Sequence, residues 1–359
     1  MNFWKTLKRP IIGLAPMDGV TDSSYRYMFA KYGSPSVSIT EFTNVEGLAR
    51  GAKTMMIAFD YSEIERPVVG QIYGVEVDSF YKASVMLCAL GFDGVDINMG
   101  CPANKVAKRG SGAGLIRTPD LAKDIVRSCK RAALDWSNGI TLEEAGLHPR
   151  IINEVAVMLE KRGKKPEDVP RVLRPVSVKT RIGYDVAIAE EWVKHLLEVE
   201  PANITMHGRT LKQMYMGSAD WDEIARAGVV CRKAGVSYLG NGDVSSMEDA
   251  REKVAKYDLD GVLVGRATFG APWFFDGKEP SVAEMLKIAV EHCRYFDEIE
   301  RRWNFHHMRK HLTWYCKGFD GARELRKLMM KAENWKDAER YADYFLEGGD
   351  LRALLEQEA

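Results

Sequence analysis

The hydrophobic and polar positions of the first 275 residues repeat one pattern: a short β-branched run, a polar or glycine-rich turn, and a stretch with helical periodicity. The runs predict eight strands, at Ile11–Ala15, Val37–Thr40, Val68–Ile72, Gly94–Ile97, Val176–Thr180, Asn203–His207, Ser237–Gly240 and Gly261–Val264. The stretches between them predict helices such as Ser23–Tyr32, Pro119–Ala133, Asp185–Glu198 and Asp220–Ala234. Eight strand–helix units are what a closed (β/α)8 TIM barrel needs, so the barrel is the predicted α/β fold.

An open doubly wound sheet is the alternative architecture. Its signature is a glycine-rich turn straight after the first strand, but here that turn reads Pro16-Met17-Asp18-Gly19. Polar residues and glycines instead follow many of the strands, and in a barrel those loops converge on one mouth. This distribution favours the barrel.

Two segments depart from the repeat. Residues 134–174 form a charged stretch with its own helical piece, Ile151–Arg162, which predicts an insertion on the amino-terminal face of the barrel. After Phe275 the strand signals stop, and Ser281–Ala359 shows helical spacing throughout. We therefore expect a barrel over 1–275 and an all-helical domain over 276–359.

Composition and charge exclude several classes of protein. The 359 residues are 46% hydrophobic and 28% charged, which excludes a disordered, collagen-like or coiled-coil chain. We find neither a signal peptide nor a long apolar stretch, and therefore expect a cytoplasmic protein without membrane association. The six cysteines form no CxxC pair, which predicts reduced thiols and no metal site. No obligatory protein partner is evident.

The 51 basic and 51 acidic side chains cancel, so a polyanionic partner would have to meet a local basic patch. Residues 301–331 supply a candidate, with two acids against nine cations: Arg301, Arg302, Arg309, Lys310, Lys317, Arg323, Arg326, Lys327 and Lys331. Aromatic and histidine residues are interleaved: Trp303, His306, His307, His311, Trp314 and Tyr315. Such patches suit phosphate contact and base stacking, and the alternative is a solvated helix face with buried aromatic residues.

The loops after the last two predicted strands suggest a phosphate site. Asn241, Gly242 and Asp243 follow strand seven, and Gly265 and Arg266 follow strand eight. In barrels these loops commonly bind phosphate through backbone N–H groups, and an arginine adds a charge-assisted hydrogen bond. The alternative is two ordinary turns in which glycine is favoured anyway.

Three polar residues at other strand ends fit a flavin, which needs a cation near the N1/C2 edge of its ring and polar groups at its pyrimidine edge. Lys179 ends strand five, His207 strand six, and Gln71 strand three. Singly, Lys179 could reach to water and His207 could be structural. Their shared position at one mouth is the signal.

The most distinctive loop is Asn98-Met99-Gly100-Cys101-Pro102, after strand four. The other five cysteines fit the pattern of small buried hydrophobic residues. Cys101 lies between glycine and proline, where we do not expect burial in a packed core. Such a thiol suits a nucleophile or a proton donor, and the glycine-rich run 110–114 suits a mobile lid.

With these motifs in place, the sequence resembles the flavin-dependent tRNA-dihydrouridine synthases. The matching stretches are LAPMDGVTD, VVGQIYG, DGVDINMGCPANKVAKRGSGAGLIRTP, VSVKTRIGYD, ITMHGRT, LGNGDV, GVLVGRATFGAPWFF and HHMRKHLTWYCKGFDGARELRK. The resemblance implies an FMN-bearing catalytic barrel, a helical tRNA-binding domain, and NADPH-driven reduction of particular uridines in tRNA to 5,6-dihydrouridine.

The resemblance also implies residue roles. Cys101 matches the proton donor, with hydride passing from flavin N5 to C6 of uracil and the proton from Cys101 to C5. The positions matching the flavin site are Pro16, Met17, Asp18, Gln71, Lys179, His207, Asn241, Gly242, Asp243, Gly265 and Arg266. The positions assigned to the target base or the tRNA body are Asn98, Lys105, Arg209, Arg309, Lys310, Lys317 and Arg323.

Two other functions stay open at this point. A flavin barrel enzyme acting on a free pyrimidine, such as a dihydroorotate dehydrogenase, explains the barrel but not the carboxyl-terminal motif. A non-catalytic RNA-binding scaffold has no need of the set Cys101, Lys179, His207 and Arg266. The insertion and the acidic tail after Lys331 depart from the common form of the family.

Overall fold

The computed structural model describes residues 2–103, 107, 109–214, 216–299 and 304–358. Eight parallel strands form a closed barrel in chain order, and the last strand pairs with the first. They are β1 (Ile11–Leu14), β2 (Ser38–Asn44), β3 (Val68–Tyr73), β4 (Gly94–Met99), β5 (Val176–Gly183), β6 (Asn203–Thr210), β7 (Ser237–Asn241) and β8 (Gly261–Val264). The closed order confirms the predicted fold class and excludes the open doubly wound sheet.

The strands are nearly continuous apolar runs because a parallel barrel covers both faces of each strand. Every residue of β1, β4, β7 and β8 is buried. Inside the barrel, Trp4 packs with Ile11, Val37 and Leu239, which lie near the amino-terminal ends of their strands. The carboxyl-terminal ends of the strands, called the mouth below, carry the polar residues.

The helices of the described residues are α1 (Ser23–Tyr32), α2 (Val45–Ala49), α3 (Val77–Ala89), α4 (Pro119–Ser137), α5 (Pro149–Lys161), α6 (Ala189–Leu197), α7 (Trp221–Lys233), α8 (Met247–Tyr257), α9 (Val282–Ile299), α10 (His306–Tyr315), α11 (Ala322–Met329), α12 (Trp335–Leu346) and α13 (Leu351–Gln357). Local sequence fixes several of their starts. The Asp220 side chain accepts from a backbone N–H at the start of α7, and Ser246 does the same for α8. A proline in the first turn begins both α4 and α5.

The predicted insertion contains α5. Helix α5 packs against α3 and the segment after α2. Lys53 Nζ lies 3.6 Å from Glu154 Oε2, and Arg162 donates to the carbonyl of Leu90 at 2.9 Å. The buried face of α5 includes Ile151, and the expected placement of the insertion on the amino-terminal face of the barrel stays a prediction.

Contacts divide the chain into two compact units, residues 1–23 with 35–265 and residues 24–34 with 266–359. The second unit therefore includes most of α1 as well as α9 to α13. Within it, the rings of Tyr27 and Tyr295 stack 3.7 Å apart, and Tyr32 donates to Glu291 at 2.5 Å. The boundary expected after residue 275 stays a prediction. No helix in the described part of the chain has the length and apolar character needed to cross a membrane.

Candidate active site

The loop after β4 holds Cys101 in a defined backbone conformation. The N–H groups of Gly100 and Cys101 both donate to Asn98 Oδ1, at 3.1 and 2.8 Å. The Cys101 carbonyl accepts from the N–H of Ala113 at 3.2 Å. On the other side, Arg181 Nε donates to the Gly100 carbonyl at 2.5 Å. Hydrogen bonds from three directions fix where the thiol lies.

The burial of Cys101 corrects the expectation of an unburied loop cysteine, because the residue is only 8% exposed. The loop lies close against β5: a Cβ atom on Gly100 would stand 3.4 Å from the backbone of Lys179 and Thr180. The Thr180 hydroxyl also donates to the carbonyl of Met99 at 3.1 Å. Gly100 and these contacts bring the loop close to β5 and bury Cys101. The glycine and proline on either side of Cys101 in the sequence do not predict this burial.

Burial also decides the protonation state of the thiol. Desolvation raises the pKa of Cys101 above its ordinary value of 9.0, and the charge of Asp18 raises it further. A backbone hydrogen bond from Ala103 and the cations Arg181 and Lys179 act in the opposite direction without reversing the shift. The thiol is therefore neutral at neutral pH, as a proton donor must be.

Lys179 lies on β5 directly opposite Asn98 of β4, the residue that holds the Cys101 loop. Among the described residues its ammonium group forms neither a hydrogen bond nor an ion pair. Desolvation and the positive charge of Arg181 together lower the pKa of Lys179 to about 8. The charges of Asp96 and Cys101 act in the opposite direction. A desolvated ammonium without an acceptor is suited to receive an anionic or strongly polar ligand group.

Gln71 on β3 is fully buried, and its amide is occupied at both ends. Its Nε2 donates to Asp96 at 2.7 Å, and its Oε1 accepts from Asn98 Nδ2 at 2.9 Å. Asn98 in turn holds the Cys101 loop. The predicted flavin contact of Gln71 and the predicted base contact of Asn98 stay predictions, since both side chains also serve this internal network.

The loops expected to bind phosphate pack closely against neighbouring segments of the barrel, and their phosphate contacts stay predictions. Gly242 has a φ of +125°, and a Cβ atom there would stand 2.7 Å from Ala219 Cβ and 3.0 Å from His207 Cδ2. A Cβ atom on Gly265 would stand 3.3 Å from Met17 Sδ, so the loops after β8 and β1 are neighbours. Asn241 supports this edge by donating to the carbonyl of Leu263 on β8 at 2.8 Å.

The first of these loops also takes part in an ion pair between a buried arginine and the more exposed Asp243. Arg209 is 2% exposed, and its guanidinium donates to both carboxylate oxygens of Asp243, at 3.0 and 2.7 Å. Arg209 further donates to the carbonyls of Met216 and Gly217, and Asp243 accepts from the N–H of Ala219 at 2.8 Å. The pair joins the loops after β6 and β7. The predicted contact of Arg209 with the target base and the predicted contact of Asp243 with the flavin phosphate stay predictions. In this structure the two side chains bind each other.

The loop after β1 is ordered by Thr21, whose hydroxyl accepts from the N–H of Met17 at 3.0 Å. This loop includes Pro16 and Asp18, and the charge of Asp18 acts on both Cys101 and Tyr73. The loops after β1, β3 and β4 thus meet. Arg266 belongs to the second unit, and its predicted phosphate contact stays a prediction.

Sequence reasoning missed three residues of the mouth: Asp96, Arg181 and Tyr73. Asp96 and Arg181 are buried, at 1% and 4% exposure, within strands. The available signal was a charged residue inside an otherwise apolar strand, which is costly unless its charge is matched. Tyr73 ends β3 and packs edge-on against Phe42.

The predicted basic patch lies in the second unit as far as the structure describes it. Arg309 donates to the Ala332 carbonyl at 2.9 Å and pairs with Glu333, while Lys317 donates to the Phe269 carbonyl at 2.7 Å. Burial lowers the pKa of Lys317. Lys105, Arg301, Arg302 and Trp303 lie outside the described residues.

The aromatic and histidine residues of the patch are divided between the interior and the surface. Tyr315 and His311 are buried, and the Trp314 ring stacks on Phe269 at 4.0 Å. His306 and His307 are exposed. Arg323 is exposed on α11, and Lys310 is partly exposed on α10. The described surface therefore offers cations and two imidazole rings. No group of three or more His, Cys, Asp or Glu side chains in the described ranges is placed to hold a metal ion.

A closed barrel whose polar and ionisable side chains gather on the loops after the strands has the organisation of a barrel enzyme. The chain matches the family model described as Dihydrouridine synthase (Dus) over residues 13–136 and 167–347. It therefore belongs to the dihydrouridine synthase family, as the motifs predicted. The unmatched residues 137–166 lie inside the predicted insertion.

Curated relatives extend this similarity to nearly the whole chain. A probable tRNA-dihydrouridine synthase of Staphylococcus epidermidis is 32% identical, covering 98% of this chain and 98% of the relative. One from Staphylococcus aureus (strain MRSA252) is 32% identical and covers 96% and 95%. The probable tRNA-dihydrouridine synthase 2 of Bacillus subtilis (strain 168) is 31% identical and covers 96% of each.

Proposed function

We propose that this protein reduces the C5–C6 double bond of particular uridines in tRNA, using bound FMN and electrons from NADPH. The observation that carries the proposal is the neutral thiol of Cys101 in the loop held by Asn98, whose partner in the strand register, Lys179, has an ammonium group without a hydrogen bond or ion pair among the described residues. Membership of the dihydrouridine synthase family and the names of the relatives support the tRNA substrate.

The residues present fit FMN. Lys179 would face the N1/C2 edge of the ring system, with His207 and Gln71 at its pyrimidine edge, and the backbone at Gly242 and Gly265 would receive the phosphate. One feature of the structure supports this fit: the ammonium group of Lys179, for which the described residues supply no acceptor. When bound, the flavin supplies the hydride that C6 of uracil accepts.

Cys101 supplies the proton. As its S–H bond breaks, a C–H bond forms at C5 of the uracil, and the sulfur keeps the electron pair. Burial keeps the thiol protonated until that moment, and the nearby cations Arg181 and Lys179 then stabilise the thiolate that remains. NADPH and a solvent proton restore the starting state, so the reaction balances as two electrons and two protons added to the base.

Direct mapping of dihydrouridine tests this proposal. The purified protein, FMN and NADPH are incubated with unmodified tRNA, and the product is mapped by mass spectrometry and reverse transcription. We expect dihydrouridine at defined positions, FMN absorbance in the protein, and no comparable turnover with free uridine or orotate. Turnover of a free pyrimidine in preference to tRNA would favour a dihydroorotate dehydrogenase-like enzyme, and a colourless, inactive tRNA binder would favour a scaffold.

We also propose that the second unit contacts the tRNA backbone through its exposed cations. A uridine must leave the stack to reach the thiol, at a cost of a few kcal/mol, and contacts with the tRNA body offset that cost. Among the basic residues of the patch, Arg323 and Lys327 are the better probes, because both are exposed on α11, whereas Arg309 and Lys317 also hold the fold through carbonyl contacts.

Reversing two charges, as Arg323→Glu with Lys327→Glu, should weaken tRNA binding about tenfold at moderate salt and lower the salt slope of log Kd by about 2. Fluorescence anisotropy across a salt series measures both. Lys336→Glu with Arg352→Glu, two exposed reversals on α12 and α13 in the same unit, is the control matched for net charge. An equal loss in the control, or an unchanged slope in the variant at Arg323 and Lys327, would place the RNA contact elsewhere.

A further inference from the structure

Asp96 is a buried carboxylate that the mechanism above does not use. It lies within β4 at 1% exposure, between apolar neighbours, where an ionised group is costly unless hydrogen bonds match it. Desolvation raises the pKa of Asp96 to about 6, while its hydrogen bonds and Lys179 lower it. The carboxylate is therefore mostly ionised at neutral pH, and its partners indicate what it does.

A continuous chain of buried hydrogen bonds leads from Asp96 to Cys101. Gln71 Nε2 donates to Asp96 Oδ2 at 2.7 Å, and Asn98 Nδ2 donates to Gln71 Oε1 at 2.9 Å. Asn98 Oδ1 then accepts the N–H groups of Gly100 and Cys101. The linking side chains are at most 6% exposed, so water does not compete for these contacts.

The direction of this chain is set at Asp96. An ionised carboxylate only accepts hydrogen bonds, so the Gln71 amide must turn its NH2 group toward Asp96 and its oxygen toward Asn98. Asn98 must then present its NH2 group to Gln71 and its oxygen to the Cys101 loop. Were the Asn98 amide reversed, its NH2 group would face the N–H groups of that loop, and buried donors would lose their acceptor. Were the Gln71 amide reversed, its NH2 group would face the NH2 group of Asn98, and its oxygen would face the carboxylate.

We propose that Asp96 is a positioning residue for Cys101: by accepting from Gln71, it orients both amides and so holds the thiol where the target base is protonated. The inference rests on the proposed function. It assigns Asp96 no contact with substrate or flavin. Its effect on the rate comes through geometry, because misplacing a catalytic group by about 1 Å can cost on the order of 100-fold.

Asp96 also carries a charge that raises the pKa of Lys179, and this second effect must be separated from positioning. Asp96→Asn removes the charge but keeps an acceptor, since its amide oxygen can face Gln71 while its NH2 group donates to Ser177 Oγ. Asp96→Leu removes both the charge and the acceptor and keeps a side chain that branches at Cγ. The two variants therefore differ in the hydrogen-bond chain and share the loss of charge.

The matched control is Ser177→Ala. Ser177 Oγ donates to the other carboxylate oxygen, Oδ1, at 2.6 Å, on the side that does not lead to Cys101. We expect this variant to change the step with tRNA by less than about threefold. A loss comparable to that of Asp96→Leu would show that any contact to the carboxylate matters equally, and would overturn the inference.

The test follows the two half-reactions by stopped flow without oxygen. Bleaching of bound FMN by NADPH should proceed at a similar rate in all variants, while reoxidation by tRNA should slow about 100-fold in Asp96→Leu and less than about fivefold in Asp96→Asn. Equal loss in both variants would assign the effect to charge, and an unchanged Asp96→Leu would remove the positioning role. If the protein without substitutions formed no dihydrouridine in tRNA, the proposed function itself would be refuted.

A readout without turnover covers the case in which Asp96→Leu retains no flavin. Alkylation of Cys101 by iodoacetamide, followed by mass spectrometry of its peptide, reports how firmly the loop holds the thiol. We expect at least a fivefold faster reaction in Asp96→Leu than in Ser177→Ala, and near-normal protection in Asp96→Asn. If Asp96→Leu does not fold, a more than 20-fold loss of reoxidation in Asp96→Asn overturns the inference, and retention supports it.

Discussion

Cys101→Ala should lower the rate of dihydrouridine formation roughly 100- to 1,000-fold, the range expected when a positioned general acid is removed. The variant should still bind FMN and accept electrons from NADPH, because the thiol is not among the residues that would hold the flavin. Rapid mixing of the reduced variant with tRNA isolates the affected step. A rate of product formation equal to that of the unmodified protein would exclude Cys101 from the mechanism.

The pH dependence provides an internal check on this variant. Because burial places the pKa of the Cys101 thiol above 9.0, the protonated donor should persist to that pH, and the rate should fall only as pH rises through the shifted value. The residual activity of Cys101→Ala should lack this alkaline fall. Cys101→Ser, which keeps the size but presents a much weaker acid, should be slow as well. A serine variant near full activity would point to steric packing in place of proton donation.

The barrel could be predicted from the sequence because each strand is an apolar run bounded by turn residues. The carboxyl-terminal ends of β5 and β6 could not be predicted in this way. A hydropathy pattern assigns the charged residues Arg181 and Arg209 to loops, whereas the structure places them in the strands. Both arginines are buried because carbonyl groups and a carboxylate accept their hydrogen bonds. The partners come from other segments, so the pairing depends on the closed barrel and not on local sequence.

Some of the residues that form the candidate site could be predicted from the sequence, and others depend on the tertiary structure. Residues at strand ends, such as Lys179 and His207, must lie at the mouth once the barrel is accepted. The internal network of Asp96, Gln71 and Asn98 requires the register between β3, β4 and β5, which motifs do not encode. The burial of Cys101 likewise depends on how closely its loop approaches β5.

Helix α1 shows that the strand–helix repeat in the sequence does not by itself reveal which structural unit a helix belongs to. Its sequence has the periodicity of a barrel helix, and its predicted bounds, Ser23–Tyr32, agree with the structure. Its apolar and aromatic face nonetheless packs on α9, with Met28 in the hydrophobic core of the second unit. Periodicity indicates which face of a helix is buried, whereas the partner of that face is a property of the tertiary structure.

Lys179→Met should weaken FMN retention and largely abolish dihydrouridine formation, because Lys179 is the cation proposed to face the flavin ring and it also stabilises the Cys101 thiolate. Loss of one charge-assisted hydrogen bond to a buried ligand is expected to cost about 1.5 to 3 kcal/mol, or roughly 10- to 100-fold in flavin affinity. Equilibrium dialysis with FMN measures the loss. Lys179→Arg is the control, since it keeps the charge but not the shape. Unchanged affinity in Lys179→Met would move the flavin away from β5.

The same substitution should stabilise the flavin-free protein, and the sign follows from the shifted pKa of Lys179. A lysine titrating at 10.5 when unfolded and at about 8 when folded makes the unfolded chain bind more protons between those values, so the unfolding free energy of the unmodified protein rises with pH there. Below pH 8 the full penalty applies, and Lys179→Met should gain about 3 kcal/mol. The gain should shrink as pH rises from 8 and vanish above 10.5. Urea unfolding of both proteins at pH 7 and pH 10 measures it; equal stability at pH 7 would mean that the ammonium is already satisfied in the empty barrel, and the case for Lys179 as a ligand for the flavin would lose its physical basis.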